Sequence, residues 1–277
     1  MKMRSKLYWF IPVVLSLFSC EKEVDPCLGP CPEGLKPVSE KISAHCKGYF
    51  EYLPEGYQAD SMDKKYPVLF FFHGSGETGN GSTQIVRLLE HGPLKDMLNG
   101  TFPTSFTVNE TVYGLIIIAP QFTKSGVFPS EIDQMIGYIH GHYHTDPERV
   151  YLTGLSIGGT NCWQYAGFSS KTANKIAAMV PVAANIDEEE SDLRVTPAKA
   201  QIISAANIPI WSTHNEGDPL ASLSWIINAH NLIGNINPAP RLTVFDADTH
   251  EGWSRTYDPE FRENGMNIYE WMLQYHR

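Results

Sequence analysis

The sequence predicts an α/β fold with a mostly parallel central sheet and helices on both faces. Three observations support this: short runs that are apolar at every position, helix-length segments between them, and polar motifs directly after several of the runs. A strand that is buried on both faces has an uninterrupted apolar run, as in a parallel sheet covered by helices. Alternation of such strands with helices favours a parallel order.

Six apolar runs predict the strands of this sheet. They span residues 68–72, 115–119, 150–153, 178–182, 208–211 and 242–245. Segments 130–143 and 220–232 have the length of helices. The chain has 277 residues, of which 42% are hydrophobic, and this is enough apolar material for one large core. We therefore predict a single folded domain over residues 44–277.

The charge balance argues against one class of partner. The formal net charge is -10, and charged residues make up 19% of the chain. An acidic surface repels a phosphate backbone, so we do not expect nucleic acid to be the main partner.

The N-terminus has the pattern of an export signal. A basic start is followed by an apolar stretch over residues 7–18, which is too short to span a bilayer comfortably. The stretch ends in Leu17-Phe18-Ser19-Cys20, which resembles the lipobox of bacterial lipoproteins. That resemblance implies cleavage after a signal peptide of residues 1–19, acylation of Cys20, and a lipid-anchored protein in the bacterial cell envelope, on its periplasmic or outer face. The alternative is an ordinary signal peptide with an incidental cysteine.

Residues 20–43 are predicted to form a tether, because they are rich in proline and glycine and have no hydrophobic period. An exported chain can oxidise its cysteines. A local disulfide among Cys27, Cys31 and Cys46 is expected, with the pairing left open. Cys162 is expected to be a small buried apolar residue.

The sequence Gly154-Leu155-Ser156-Ile157-Gly158 matches the G-x-S-x-G nucleophile elbow. In this motif the serine occupies a strained strand-to-helix turn, where neighbouring side chains would collide. The motif alone is weak evidence, but here a buried strand precedes it and a helix is predicted from about Gly159. We therefore predict that Ser156 is a catalytic nucleophile.

A serine nucleophile of this type needs a histidine base, which follows it in the chain. His250 lies in a polar loop after the last predicted strand, where the base is expected. His214, at the end of the preceding strand, is the rival. His230 falls within a predicted helix and is expected to serve packing or the surface.

The acid that orients the histidine is predicted to be Asp218, in the tight loop Glu216-Gly217-Asp218-Pro219. Glu216 and Asp248 are rivals. The alternative role for Asp218 is to cap the helix that is predicted to begin near Leu220.

An oxyanion hole needs fixed hydrogen-bond donors. One is predicted to be the backbone N–H of Ile157. The other is predicted in the glycine-rich loop after the first long strand, with the N–H of Ser75 as first choice and that of Gly74 as second. His140, His142 and His144 lack a carboxylate partner at ligand spacing, so no metal and no cofactor are predicted.

The sequence resembles a group of bacterial predicted peptidases and esterases that is close to feruloyl esterases and polyhydroxybutyrate depolymerases, all with an α/β-hydrolase fold. The likeness runs from about Tyr49 to Tyr275. It is carried by Tyr52-Leu53-Pro54, Gly56-Tyr57, Lys65-Tyr66-Pro67, His73-Gly74-Ser75-Gly76-Glu77, His91-Gly92-Pro93, Ala119-Pro120-Gln121, Arg149 to Ser156, His250, Trp253, Tyr257 and Tyr269-Glu270-Trp271.

The resemblance implies Ser156, Asp218 and His250 as the triad, and ester substrates that are often attached to plant polysaccharides. The sequence departs from the family pattern at Asn215, where glycine is usual, and at Ile157, where methionine is usual. We expect neither departure to touch a triad side chain.

Together these features predict a serine carboxylic ester hydrolase that acts on short acyl or aromatic esters. About two dozen residues separate Ala183 from Ile208, which is too few for a large cap domain. The alternatives are a small serine peptidase, which would use the same triad, and an inactive lipoprotein that binds glycans.

Overall fold

The computed structural model describes residues 27, 29, 31–57, 64–186 and 193–277. The predicted signal peptide, Cys20 and the first part of the predicted tether lie outside these residues. In the part of the chain that is described, no helix has the length and apolar character needed to cross a membrane.

The structure is built from ten strands and eight α-helices within the described residues. The strands are β1 (Leu35–Val38), β2 (Cys46–Tyr52), β3 (Tyr66–Phe72), β4 (Phe106–Val108), β5 (Thr111–Tyr113), β6 (Ile116–Phe122), β7 (Thr145–Leu155), β8 (Ala178–Val182), β9 (Trp211–Asn215) and β10 (Arg241–Phe245). The helices are α1 (Pro93–Leu98), α2 (Pro129–His142), α3 (Ile157–Ala166), α4 (Ser170–Ala173), α5 (Pro197–Ala205), α6 (Leu223–Ile233), α7 (Trp253–Tyr257) and α8 (Ile268–Leu273).

Eight strands form one sheet in the order β1-β2-β6-β3-β7-β8-β9-β10. Strand β2 is antiparallel to both of its neighbours, and every other pair in the sheet is parallel. The mostly parallel sheet that the sequence predicts is therefore confirmed. Because the parallel strands end at the same edge, the loops after β3, β7, β9 and β10 meet there.

The centre of the sheet is buried on both faces, as the continuous apolar runs predict, whereas the edge strands β1 and β10 are partly exposed. All seven residues of β3 are buried. Val68, Phe70 and Phe72 belong to a core shared with α2, α3, α5 and α6, whereas Leu69 and Phe71 belong to a second core shared with α1, α7 and α8. Alternate side chains of one strand thus pack against helices on opposite faces of the sheet.

Two boundaries differ from the sequence prediction. The strand predicted over residues 208–211 lies at Trp211–Asn215 instead, because its polar side chains find buried partners there. The predicted tether of residues 20–43 contains strand β1, which pairs with β2 and extends the sheet. The folded region therefore begins before the predicted boundary at residue 44.

Within that first segment, Cys27 and Cys31 form a disulfide with a Cα–Cα distance of 5.1 Å. This settles the pairing that the sequence leaves open. Cys46 and Cys162 are free and buried, and burial raises the pKa of Cys46 to about 12. A thiol that stays protonated in this way is a packing residue rather than a nucleophile.

Acid is expected to destabilise the fold through its buried histidines. Burial lowers the pKa of His73 and of His230 to about 4 from the ordinary 6.5. Between these values the unfolded chain binds more protons than the folded chain, so the free energy of unfolding falls as the pH drops from 6.5 to 4. Thermal unfolding across this window measures the effect, and His230→Gln should flatten the decline. An unfolding temperature that stays constant would contradict this assignment.

Candidate active site

Ser156 occupies a strained turn between β7 and α3. Its backbone has φ 54° and ψ -122°, a conformation that non-glycine residues rarely adopt. Its N–H donates to the carbonyl of Val182 on β8 at 2.9 Å. This bond and the start of the helix hold the serine at the edge of the sheet where the parallel strands end.

The two glycines of the motif are required by close packing at this turn. A Cβ on Gly158 would lie 2.0 Å from the carbonyl oxygen of Phe72, and a Cβ on Gly154 would lie 2.5 Å from the carbonyl carbon of Gly158. The first turn of α3 therefore contacts the backbone of β3 directly. The glycines permit the approach that places Ser156 beside the loop after β3.

The structure brings Ser156, His250 and Asp218 together. His250 Nε2 lies 2.8 Å from Ser156 Oγ, and His250 Nδ1 lies 2.7 Å from Asp218 Oδ2. The His250 side chain is 16% exposed and the Asp218 side chain is completely buried. Since a carboxylate only accepts, His250 Nδ1–H donates to it, which leaves Nε2 to accept the serine hydroxyl proton.

Asp218 orients His250 but does not cap a helix, so the alternative role offered by the sequence is wrong. While Oδ2 binds His250, Oδ1 accepts from the N–H groups of Leu220 and Ala221 at 2.8 and 2.9 Å. The helix α6 begins slightly later and is capped by Ser222. The two bonds from the backbone of this turn fix the carboxylate in the orientation that the histidine needs.

His214, the rival for the base, and His230 both have other partners. The fully buried side chain of His214 donates through Nε2 to the carbonyl of Ala221 at 2.7 Å, and burial lowers its pKa. His230 Nε2 lies 2.9 Å from Ser212 Oγ. Both histidines therefore support the loop and the strand around Asp218, and only His250 is hydrogen-bonded to Ser156.

The predicted oxyanion donors lie at the start of α3 and in the segment that follows β3. Ile157 is the first residue of α3, and the N–H groups of a first helical turn have no acceptor within the helix. A Cβ on Gly74 would lie 2.6 Å from Leu155 Cδ1, so the loop after β3 packs against the residue before the nucleophile. The assignment of Ile157, Ser75 and Gly74 as oxyanion donors stays a prediction.

Two buried side chains hold the loop after β3 in place. His73 accepts from the N–H of Phe122 at Nε2 (3.0 Å) and donates from Nδ1 to the carbonyl of Gly74 (2.6 Å). In a trans peptide the N–H points opposite to the carbonyl, so the Ser75 N–H is directed away from His73. Gln121 binds the carbonyls of Glu77 and Gln84 and the N–H of Gly81.

An aromatic side chain connects the histidine to this loop. Trp253 packs edge-on against both His250 and His91, with ring centroids 5.5 Å apart in each pair. His91 Nε2 lies 3.4 Å from the buried carboxylate of Glu77, and burial raises the pKa of Glu77. Trp253 thus lies between His250 and the His91 side chain that contacts Glu77.

One group of described residues has the ligand types for a cation, although the sequence predicts no metal. Glu77, Glu90 and His91 can each offer one atom, and these atoms lie within 4.8 Å of one another. The other histidine group is explained locally: His140 binds Thr145 and His142 binds the carbonyl of Tyr138. Nothing in the serine–histidine–aspartate geometry requires either group.

No family model matches the chain. Several solved structures are similar to it. A thermostable esterase has 20% sequence identity and a TM-score of 0.60 over 88% of this chain; the chain spans 63% of that protein. A feruloyl esterase module from Clostridium thermocellum, in complex with sinapinate, has 18% identity and a TM-score of 0.55, covering 85% of this chain and 90% of that one.

A fluorophosphonate-binding serine hydrolase from Staphylococcus aureus has 14% identity and a TM-score of 0.54, covering 77% of this chain and 90% of that one. These similarities confirm the predicted α/β-hydrolase fold. At 14–20% identity the similarities concern the fold and not the side chains of the site.

Proposed function

We propose that the chain is a serine hydrolase of the carboxylesterase type, with Ser156 as nucleophile, His250 as base and Asp218 as acid. The observation that carries this proposal is the continuous hydrogen-bonded chain from Ser156 Oγ through His250 to the buried Asp218 carboxylate. Its position at the carboxyl ends of parallel strands, in an α/β-hydrolase fold, supports the same conclusion.

The geometry supports a two-step reaction. His250 Nε2 takes the proton of Ser156 as Oγ attacks the substrate carbonyl carbon, and the tetrahedral oxyanion forms beside the donors of Ile157 and Ser75. The same proton then passes from His250 to the departing alcohol, leaving an acyl-enzyme. Water, deprotonated by His250, attacks the acyl carbon, and Ser156 leaves with its proton restored.

Esters of short acyl or aromatic acids are the proposed substrates, including esters carried by plant polysaccharides. The support is the sequence resemblance to feruloyl esterases together with the structural similarity to proteins named as esterases. A peptidase would need the same triad, so the triad does not separate the two activities. Parallel assays on methyl ferulate, acetylated xylan and a peptide amide test the choice, and faster amide cleavage would reject it.

Short esters are expected to be better substrates than long ones. Of the segment between β8 and β9, the described part contains helix α5 and no further domain, so we propose that the site is open and does not enclose a long acyl chain. We expect kcat/KM for p-nitrophenyl acetate or butyrate to exceed that for the palmitate ester by about tenfold or more, which is about 1.4 kcal/mol. A preference for palmitate, or activation at a lipid interface, would indicate a lipase.

We also propose that Cys20 is acylated and anchors the protein to the cell envelope. The support is the sequence alone: a basic start, a short apolar core and Leu17-Phe18-Ser19-Cys20. Mass spectrometry of the membrane fraction should identify a lipid-modified Cys20 as the first residue, and Cys20→Ala should release the protein from that fraction. A soluble mature protein that begins at another residue would end this proposal.

A further inference from the structure

Asn215, the last residue of β9, binds the backbone on both sides of His250. It is buried, with 2% of its surface exposed. Its Nδ2 lies 2.7 Å from the carbonyl oxygen of Thr249 and 2.7 Å from that of Glu251. Carbonyl oxygens only accept hydrogen bonds, so the side-chain atom that faces them is the amino group, and both of its hydrogens are used.

The segment that receives these bonds has no regular secondary structure. Residues 246–252 connect β10 to α7 without a helix or strand, so their backbone carbonyls have no ladder to join. A third contact, from Asn215 Nδ2 to Thr249 Oγ1 at 3.2 Å, lies on the same segment. The side-chain oxygen of Asn215 is also enclosed, since a Cβ on Gly252 would lie 3.1 Å from it.

Strand β9 therefore contacts the segments of two candidate triad residues, since the Asp218 loop follows it and its last residue binds the backbone beside His250. The loop with Asp218 follows β9 directly, and its first residues are tied to the end of β10: the N–H of Glu216 donates to Phe245 and that of Gly217 to Ala247. These backbone bonds fix the near end of the His250 loop. Asn215 fixes the far end, at the residues that immediately flank the imidazole.

We propose that Asn215 is a positioning residue for His250, acting through the carbonyls of Thr249 and Glu251; the inference rests on the proposed function. Its amino group holds the histidine backbone so that Nδ1 meets Asp218 while Nε2 stays within 2.8 Å of Ser156 Oγ. The hydrogen bonds of the Asn215 side chain go to Thr249 and Glu251 and not to Ser156. A displacement of about 1 Å in such a group can reduce the rate about 10²-fold.

The kinetic test compares Asn215→Ala and Asn215→Asp with a matched control, Ser212→Ala. Ser212 lies on the same strand and is equally buried. Its replacement by alanine also removes a side-chain hydrogen bond, the one to His230. On p-nitrophenyl acetate we expect both Asn215 variants to lose about 10- to 100-fold in kcat with KM within about twofold. Ser212→Ala should keep kcat. Equal kcat losses in all three variants would make Asn215 merely structural and overturn the proposal.

A double-mutant cycle separates positioning from a general effect on the pocket. In a His250→Ala background, Asn215→Ala should cause no further loss of the residual activity, because the group it positions is absent. An undiminished loss in that background would overturn the role. If the wild type hydrolyses no ester, the proposed function is rejected, but the positioning role of Asn215 is not. The position of His250 is then tested by a measurement that does not depend on catalysis.

That measurement is proton NMR of the His250 imidazole in its hydrogen bond to Asp218. The wild type should show a downfield Nδ1–H resonance, assigned by its absence in His250→Ala, and Ser212→Ala should keep it. We expect the resonance to broaden beyond detection in Asn215→Ala, as the His250–Asp218 bond loosens. A sharp, unshifted signal in Asn215→Ala would contradict the positioning role whatever the protein catalyses.

Discussion

Ser156→Ala is expected to reduce kcat about 10³-fold or more, and His250→Ala by a similar factor. The reason is that the two side chains form one proton-transfer unit, with Nε2 and Oγ 2.8 Å apart. Because each variant disables the same step, the double variant should lose little beyond either single one. Kinetics on p-nitrophenyl acetate, with circular dichroism to confirm folding, measure the effect.

His214→Ala is the control for this assignment. His214 binds the carbonyl of Ala221 and is not bonded to Ser156. We therefore expect the variant to lower the unfolding temperature and to keep much more activity than His250→Ala. Full activity in His250→Ala beside an inactive His214→Ala would reverse the two roles.

Asp218→Asn is expected to reduce kcat by about 10²-fold or more, which is a smaller reduction than the one expected for Ser156→Ala. An amide that turns its amino group toward His250 Nδ1 stabilises the tautomer with the proton on Nε2, and that tautomer cannot accept the serine proton. The amide oxygen can still accept from Leu220 and Ala221, so folding should be retained. Steady-state kinetics together with the unfolding temperature separate the two effects.

Asp248→Asn provides the matched control, because it makes the same chemical change two residues from His250. Asp248 is exposed and has no bond to the imidazole. Its kcat should stay within about twofold of the wild type, as surface substitutions usually have small effects. An Asp248→Asn loss as large as that of Asp218→Asn would show that the acid has been misassigned.

The sequence predicts most of the parallel sheet because burial on both faces imposes apolar side chains at every position. Strands β3, β6, β7, β8 and β10 all overlap the predicted apolar runs. Strand β9 shares only Trp211 with its predicted run, since Ser212, Thr213, His214 and Asn215 are buried polar residues whose side chains form hydrogen bonds outside the strand. Propensity cannot reveal a strand that is stabilised in this way.

The residues of the candidate site also differ in whether the local sequence predicts them. Ser156 is found from five consecutive residues, because the elbow is a local backbone geometry. His250 and Asp218 follow from chain order and position after a strand. The role of Asn215 depends on contacts with residues 34 and 36 positions away, and the sequence contains no local signal for them. The expectation that Asn215 has no contact with a triad side chain says nothing of its bonds to the backbone carbonyls of Thr249 and Glu251, on either side of His250.

The most direct test of Ser156 as a nucleophile activated by His250 is to label the wild-type protein with a fluorophosphonate probe and to locate the adduct by mass spectrometry. The probe forms a covalent bond with an activated serine, so the reaction depends on the nucleophile and its base rather than on any substrate. We expect a single adduct on Ser156, which is absent in Ser156→Ala and forms much more slowly in His250→Ala. A wild-type protein that stays unlabelled, or an adduct on another serine that persists in Ser156→Ala, would contradict the assignment of Ser156 as the nucleophile.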